Sequence, residues 1–333
     1  MDTPISIAVI GGGSWATALV KILTENSTIR VDWWMRNEDA IEHIKIHKHN
    51  PNYISSVQFD LNKVTPTSDL EYTIANNDII ILATPAAFLA TQLDGLPKDS
   101  FKGKYIASSI KGIIPETFQV VGHYMVDNWG LPEENLAVIT GPCHAEEVAL
   151  EKLSYLTVAS LNQTLAELLA KMIEGRFIKT KITDDVFGVE YAAVLKNVYA
   201  IACGISHGLG YGDNFQAVLV SKASSEMERF LDDCHEQHRD VKENAYLGDL
   251  LVTAYSQFSR NRTFGNMLGK GYTVKSAQME MNMIAEGYYS TKTMHEINQK
   301  IGTEMPILNA VNDIIYERKS PRQTIKNLES HLV

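Results

Sequence analysis

Lys196 and Asn197 interrupt the most apolar stretch of the chain, residues 189–204. Burying an ammonium group is costly unless the group is paired, so a lysine at this place indicates either a partner or a chemical role. A desolvated lysine has a lowered pKa and can exchange a proton with a carbonyl/alcohol couple. The position therefore predicts Lys196 as a proton-transfer residue. The alternative is a lysine that extends along a helix face to solvent.

A second polar group consists of Gly248-Asp249-Leu250 and, ten residues further on, Ser259-Arg260-Asn261-Arg262. Arginine offers a planar fork of donors to a phosphate, and serine and asparagine can add hydrogen bonds. Asp249 could hold Lys196 by a charge-assisted hydrogen bond. A solvated loop with two surface arginines would show the same spacing. The spacing alone leaves both interpretations open.

A triple glycine near the N-terminus indicates a nucleotide site. Residues 5–10 form a short apolar run that ends at Gly11-Gly12-Gly13, and residues 14–23 continue at helical spacing. With Ala16 in the third place this fits G-x-G-x-x-G/A. Gly11 permits a tight turn, Gly13 lets backbone approach a pyrophosphate, and the small Ala16 lets the helix pack near its strand. The pattern predicts dinucleotide binding at a helix N-terminus, and a structural turn is the alternative.

The end of the second strand bears on which dinucleotide binds. NAD-binding units usually carry an acid there, which bonds the ribose hydroxyls. This strand instead ends in Trp34-Met35-Arg36-Asn37, and Asp32 lies earlier, inside the strand. Arg36 could pair with a 2′-phosphate, so NADP is predicted to be preferred and NAD tolerated. An exposed loop arginine is the alternative.

The elements that must position these residues change character along the 333-residue chain. Apolar strands alternate with helices up to about residue 182, as expected of a parallel sheet covered by helices. From Val186 onward the periodicities are helical, including 216–231 and 273–286. The sequence predicts an α/β Rossmann-type domain with a parallel-rich sheet at residues 1–187. An all-α domain is predicted to follow at residues 188–333.

Bulk properties exclude several other classes. The formal charge of −10 disfavours nucleic-acid binding, which needs a positive surface. No window holds the ~18 uninterrupted apolar residues of a membrane span, and the N-terminus lacks the basic region of a signal peptide. Three cysteines without paired spacing (Cys143, Cys203 and Cys234) suit free thiols in a reducing compartment. A cytoplasmic protein without a membrane span is expected.

Other motifs are assigned no chemistry. Groups that could in principle bind a metal are His43, His47 and His49, and Cys234, His235 and His238. Both groups lie in polar segments, so we expect exposed faces and no metal site. The segment Gly265–Gly271 (GNMLGKG) faintly resembles a phosphate-binding P-loop. It follows no strand and has no Ser or Thr after its lysine, so a helix terminus is predicted there.

Segments spread in order over nearly the whole chain form a recognisable set. They are IAVIGGGSWATAL (7–19), SSIKGI (108–113), GPCHAEEVA (141–149), LKNVYAIACGISHGLGYGDN (195–214), GDLLVT (248–253), SRNRTFG (259–265) and AEG (285–287). The set resembles the bacterial type of NAD(P)-dependent glycerol-3-phosphate dehydrogenase. The resemblance implies a fold like that of 6-phosphogluconate dehydrogenase, a homodimer, and reversible reduction of dihydroxyacetone phosphate to sn-glycerol 3-phosphate. That product is the backbone precursor of glycerophospholipids.

The resemblance also implies site residues. Together with the glycine pattern, it places at the cofactor Gly11, Gly13, Ser14, Trp15, Arg36, Lys111, Ala145, Arg260, Ile284 and Glu286. The residues that it places at the substrate are Lys111, Gly141, Cys143, Lys196, Asp249, Ser259, Arg260 and Asn261. Lys196 matches the family's proton acceptor for alcohol oxidation. Cys143 stands where Ser or Thr is usual, and a thiol is a poor donor, so contact there is expected to be weaker or made by backbone.

Two alternative functions remain. One is a related two-domain dehydrogenase that acts on another small hydroxy acid or on an acyl thioester. The other is a module that senses NADP(H) without catalysis. A sensor has no use for a proton donor beside a phosphate clamp, so the presence of Lys111, Lys196, Asp249 and Arg260 disfavours the second alternative.

Overall fold

The structure, a computed structural model, describes residues 5–26, 28–281 and 285–332. Its strands are β1 (Ile5–Ile10), β2 (Ile29–Trp34), β3 (Val64–Thr67), β4 (Ile79–Leu82), β5 (Tyr105–Ser108), β6 (Ile113–Ile114), β7 (Gln119–Val120), β8 (Leu136–Thr140), β9 (Ser154–Ala159) and β10 (Ile178–Thr183). Its α-helices are α1 (Ser14–Glu25), α2 (Glu38–His47), α3 (Leu70–Ala75), α4 (Ala86–Leu93), α5 (Val121–Trp129), α6 (Ala145–Ala149), α7 (Gln163–Ile173), α8 (Val186–Gly208), α9 (Asp213–Cys234), α10 (Asp249–Tyr255), α11 (Arg260–Gly269), α12 (Val274–Glu280), α13 (Glu286–Ile301), α14 (Pro306–Ile315) and α15 (Pro321–Leu328).

The chain divides into two units by its internal contacts. The first, here called the sheet unit, comprises the chain up to Ile110 together with Gln119–Val186. The second, called the helical unit, comprises Lys111–Phe118 together with the chain from Phe187 onward. A short excursion from the first half of the sequence therefore belongs to the helical unit.

The sheet unit is built on an eight-stranded sheet with the order β10-β9-β8-β5-β4-β1-β2-β3. Neighbouring strands run parallel, except that β8 and β9 are antiparallel. All four residues of β4 are buried, as expected for a strand covered on both faces. The strand order reverses beside β1, which pairs with both β2 and β4. In sheets of this kind the crevice at such a reversal is the usual ligand site.

Within this eight-stranded sheet, the sequence did not predict the two edge strands, β3 and β10. In β3 buried residues alternate with more exposed ones. In β10 only Ile178 is buried, and the strand carries the exposed Lys179 and Lys181. Edge strands need polar and charged side chains to avoid pairing with other chains, so they lack the apolar run that marks an inner strand.

The helical prediction for residues 273–286 was wrong as a single element. Thr273 caps α12, its side chain accepting from Ser276 N, and that helix ends at Glu280. A new helix, α13, begins at Glu286. Periodicity alone did not reveal that the first helix ends at Glu280.

The longest helix, α8, is long and apolar enough to cross a membrane by length and composition. However, 94% of its most apolar window is buried inside the protein. A central core helix has the same composition, because it is surrounded by other apolar side chains on every face. The helix is thus consistent with a core element.

In the helical unit α8 and α11 cross at glycines. Gly204 and Gly208 lie on α8, and Gly265 and Gly269 lie on α11, with the same spacing of four. A Cβ at any of these positions would overlap backbone of the other helix; at Gly265, for instance, it would meet the Ile201 carbonyl oxygen. The glycines therefore let the two helix backbones touch. The P-loop-like segment forms the C-terminal part of α11 and serves this packing.

Candidate active site

A buried carboxylate joins two lysines in the helical unit. Asp249, the first residue of α10, is 1% exposed. Its Oδ1 accepts from Lys196 Nζ at 2.6 Å, and its Oδ2 accepts from Lys111 Nζ at 3.0 Å. Lys196 also donates to the Thr253 hydroxyl at 2.9 Å. Lys111, Lys196 and Asp249 are called the lysine–aspartate cluster below.

The charges of this cluster shift one another's pKa values. Burial lowers the pKa of Lys196 to about 8, a change that the positive Lys111 reinforces and Asp249 partly offsets. Burial alone would raise the pKa of Asp249, but the two ammonium groups outweigh it and the pKa is lowered. Asp249 thus stays ionised near neutral pH, whereas Lys196 is poised to gain or lose a proton.

Two asparagines connect the cluster to neighbouring elements. Asn197 donates to the Lys111 carbonyl oxygen at 2.9 Å, and Asn261 donates to the Asn197 side-chain oxygen at 2.9 Å. The Asn261 side-chain oxygen in turn accepts from Gly287 N at 2.9 Å. Both side chains are buried. The chain of bonds fixes the backbone of Lys111 relative to α8, α11 and α13.

The start of α11 supplies positive charge beside the cluster. Ser259 is its N-cap and accepts from Arg262 N at 3.2 Å, and Arg260 is exposed in the first turn. Burial raises the pKa of Glu286, while the charges of Arg260, Lys196 and Lys111 act against that rise. A helix N-terminus with an arginine is a suitable phosphate site.

The glycine turn of the sheet unit has the features that a pyrophosphate requires. Gly11 has φ +142°, and a Cβ there would lie 2.6 Å from the Ala83 carbonyl oxygen at the end of β4. A Cβ at Gly13 would have no atom within 4 Å, so space is open. Helix α1, which starts at Ser14, has no side-chain N-cap. The indole N–H of Trp15 is buried without a hydrogen-bond partner among the described residues. The turn therefore fits a dinucleotide.

The end of β2 carries one residue engaged within the sheet unit, Asp32, and one exposed residue, Arg36. Asp32 accepts from Asn77 Nδ2 at 2.8 Å and pairs with Ala8 inside the sheet, so it is committed to structure. Arg36 is exposed two residues after β2 and forms no ion pair with a described residue. Its guanidinium is available to a ligand there.

The remaining predicted residues belong to the sheet unit or lie outside the described residues. Gly141, Cys143 and Ala145 belong to the sheet unit, between the end of β8 and the start of α6, which packs on α1. Gly141 has φ +119°, and a Cβ there would lie 2.8 Å from the Tyr155 carbonyl oxygen. Ile284 lies outside the described residues. The roles assigned to these four residues stay predictions.

The histidines near the end of α2 do come together. The ring centroids of His43 and His47 are 4.4 Å apart, and Nε2 of His43 lies 3.4 Å from Nε2 of His49. Burial and the two neighbouring imidazoles lower the pKa of His43. Within the part of the chain that the structure describes, no three or more His, Cys, Asp or Glu side chains are arranged to hold a metal ion.

Two residues of the site were missed by sequence reasoning. Thr253 accepts from Lys196 and donates to the Asp249 carbonyl oxygen at 2.6 Å. It lies four residues after Asp249, one helical turn away on the same face, which was a usable signal. Asn197 was noted as polar in an apolar helix, but its two bonds could not be read from sequence.

Comparison with known proteins gives a consistent result for both halves of the chain. The family model for the N-terminus of NAD-dependent glycerol-3-phosphate dehydrogenase matches residues 6–166, and the model for the C-terminus matches residues 185–326. Glycerol-3-phosphate dehydrogenase (NAD(P)+) of Macrococcus caseolyticus is 32% identical over 326 residues, covering 97% of each chain. A Salinibacter ruber relative of the same name is 33% identical, covering 97% of this chain and 94% of its own.

Solved structures agree in fold. The crystal structure of glycerol-3-phosphate dehydrogenase from Coxiella burnetii has a TM-score of 0.90 and 29% identity, covering 98% of this chain and 99% of its own. The D-mandelate dehydrogenase structure with NADH has a TM-score of 0.62 at 16% identity, over 94% and 98% of the two chains, a likeness of fold alone. The predicted fold class is confirmed, and so is NAD(P) as the cofactor class. The chain belongs to the NAD(P)-dependent glycerol-3-phosphate dehydrogenase family.

Proposed function

We propose that this enzyme reduces dihydroxyacetone phosphate to sn-glycerol 3-phosphate with NAD(P)H, and catalyses the reverse oxidation. The observation that carries the proposal is the pairing of Lys111 and Lys196 on one buried carboxylate, next to the Arg260 end of α11. A proton donor beside a phosphate-binding helix end is what a small phosphorylated ketone requires. The relatives named above carry this activity in their names.

Arg260, Asn261 and Ser259 would bind the substrate phosphate at the N-terminus of α11. Binding of the phosphate would hold the ketone carbon in position for hydride transfer, so these residues contribute to catalysis by orienting the substrate. Residues 1–187 would hold the cofactor, with Gly11, Gly13 and Arg36 among its contacts. When bound, the reduced nicotinamide supplies the hydride.

Lys196 would transfer the proton. Its ammonium donates to the ketone oxygen as the carbon receives hydride, and the neutral amine takes the proton back in alcohol oxidation. Asp249 keeps Nζ in place through the 2.6 Å bond, and Thr253 holds it from a second direction at 2.9 Å. Lys111, bound to the other carboxylate oxygen, would stabilise the developing negative charge.

The pH dependence follows from the lowered pKa of Lys196, about 8. Ketone reduction needs the ammonium, so its kcat/KM should be flat below about pH 8 and fall tenfold per unit above it. Alcohol oxidation needs the amine, so its kcat/KM should rise up to about pH 8. Steady-state profiles in both directions measure this. A reduction rate that increases between pH 7 and 9 would contradict the assignment.

We propose NADP(H) as the preferred cofactor, because the exposed Arg36 can pair with a 2′-phosphate and Asp32 is engaged by Asn77. Arg36→Ala is expected to lower kcat/KM for NADPH about tenfold, the loss of one charge-assisted contact. The value for NADH should change less than threefold. Arg30→Ala, an exposed arginine within β2, is the control. An equal loss with both cofactors would remove Arg36 from the discrimination.

The decisive assay is NADPH oxidation with dihydroxyacetone phosphate, repeated with NADH. A carboxylate ketone or an acyl thioester that outperforms dihydroxyacetone phosphate would favour the related-dehydrogenase alternative. Cofactor binding without consumption of any phosphorylated ketone would favour a sensing module.

We further propose a cytoplasmic homodimer whose product feeds glycerophospholipid synthesis. Sedimentation analysis checks the oligomeric state.

A further inference from the structure

All three carbonyl oxygens of the glycine turn, residues 11–13, are held by side chains. The indole N–H of Trp33 donates to the first at 2.7 Å, and the side-chain amide of Asn50 donates to the second at 3.1 Å. The hydroxyl of Thr17 donates to the third at 2.9 Å. The carbonyl dipoles of the turn thus point to protein donors. The Gly11 N–H donates to the Trp34 carbonyl oxygen at 2.9 Å, so the N–H groups of Gly12 and Gly13 are the ones left for a ligand.

Asn50 is the residue in this set that comes from outside β2 and α1. It is 1% exposed and follows α2 by three residues. Besides the turn carbonyl, its Nδ2 donates to the Thr17 hydroxyl oxygen at 3.0 Å. Its Oδ1 accepts from Asn52 N at 3.0 Å and from Tyr53 N at 3.3 Å. Both amide hydrogens and both oxygen lone pairs are used, so the amide has a single orientation in which the nitrogen faces the turn.

We propose that Asn50 is a positioning residue for the cofactor pyrophosphate. It holds the Gly12 carbonyl away from the phosphates and orients the Thr17 hydroxyl, which in turn holds the Gly13 carbonyl. A carbonyl oxygen that turned toward a phosphate would repel it, so fixing the turn removes an unfavourable conformation before the ligand arrives. The inference rests on the proposed function only in that the chain binds NAD(P).

The test compares ligands that contain the pyrophosphate with one that lacks it. For Asn50→Ala we expect the Kd of NADPH and of ADP-ribose to rise about tenfold, since the part-buried Gly12 carbonyl loses its donor. The Kd of 2′-AMP, which has no pyrophosphate, should stay within twofold. Asn50→Asp should weaken the binding of NADPH and ADP-ribose further. A carboxylate cannot donate to the Gly12 carbonyl, and it adds negative charge beside the glycine turn. Calorimetric titration measures all three ligands.

Ser160→Ala is the matched control. Ser160 lies in the same unit and is 2% exposed; it donates to the Leu136 carbonyl oxygen at 2.7 Å and accepts from Asn162 N at 3.2 Å. The control variant should lower Tm about as much as Asn50→Ala does, without a change in the Kd for ADP-ribose. If Asn50→Ala does not fold, Thr17→Val removes the hydroxyl that links the Asn50 amide to the Gly13 carbonyl and should weaken ADP-ribose binding in the same way.

The outcomes separate this inference from the proposed function. An unchanged Kd for ADP-ribose in the foldable variants would overturn it, as would an equal loss of ADP-ribose binding in Ser160→Ala or an equal loss of 2′-AMP binding in Asn50→Ala. The titrations contain no ketone, so a wrong substrate assignment would leave them interpretable. A wild-type protein that binds NADPH but does not reduce dihydroxyacetone phosphate would refute only the proposed reaction. Failure of the wild type to bind ADP-ribose and NADPH would refute both.

Discussion

Replacing Lys196 with alanine is expected to lower kcat for ketone reduction by about 10³-fold or more. General acid catalysis by a positioned group contributes roughly 10²–10⁴-fold, and the same ammonium also stabilises the forming alkoxide. The Kd of NADPH should stay within threefold, because the glycine turn belongs to the sheet unit and Lys196 to the helical unit. Steady-state kinetics and a fluorescence titration measure the two quantities.

Two further variants make this result specific. Lys196→Met keeps most of the side-chain volume while removing the ammonium, so an equal loss of kcat would exclude a packing effect. Lys292→Ala removes a lysine that is 60% exposed on α13 and should leave kcat unchanged. Added ethylamine should partly restore the alanine variant, because it supplies the missing proton donor. A Lys196→Ala enzyme with kcat within tenfold of wild type would remove this residue from the mechanism.

Gly265→Ala is expected to lower the free energy of unfolding by about 3 kcal/mol, the upper end of the usual range for overpacking. The added methyl group would overlap the Ile201 carbonyl oxygen, and backbone cannot rotate away as a side chain can. The better helix propensity of alanine, about 1 kcal/mol, offsets only part of the strain. Because α8 carries Lys196 and α11 begins at Arg260, separating the two helices should also reduce kcat/KM.

The control is Gly175→Ala. A Cβ there would have no atom within 4 Å, and the backbone is not left-handed. Denaturant unfolding of both variants gives the comparison. A free energy of unfolding for Gly265→Ala within about 0.5 kcal/mol of the wild-type value is typical of a neutral surface substitution. Such a result would show that the backbones of α8 and α11 are not in close contact at this glycine.

The fold class and two features of the candidate site, the glycine turn and Lys196, were predictable from sequence for a physical reason. Inner strands such as β4 must be apolar on both faces, and the glycine turn needs residues without side chains. Lys196 was conspicuous because the helix around it is apolar. In each case the constraint acts on residue type at a single position, so it is visible without knowledge of neighbours.

What was missed depends on pairs of elements. The strands β3 and β10 are edge strands because of their place in the sheet, and their sequences lack the apolar run that predicts an inner strand. The glycines of α8 and α11 gain meaning only when the two helices are known to cross. The roles of Asn197 and Thr253 likewise follow from hydrogen bonds to residues distant in sequence or a turn away.

Because Lys111–Phe118 belong to the helical unit, recombination between related genes is constrained. The chain passes between the units after Ile110, after Phe118 and after Val186, so no single breakpoint separates them. A recombination event near residue 187 would combine Lys111 from one parent with Asp249 from the other. Such chimaeras should work only between parents whose residues 111–118 are interchangeable. We therefore expect this eight-residue stretch to co-vary with the C-terminal half, although the sheet unit surrounds it in the sequence.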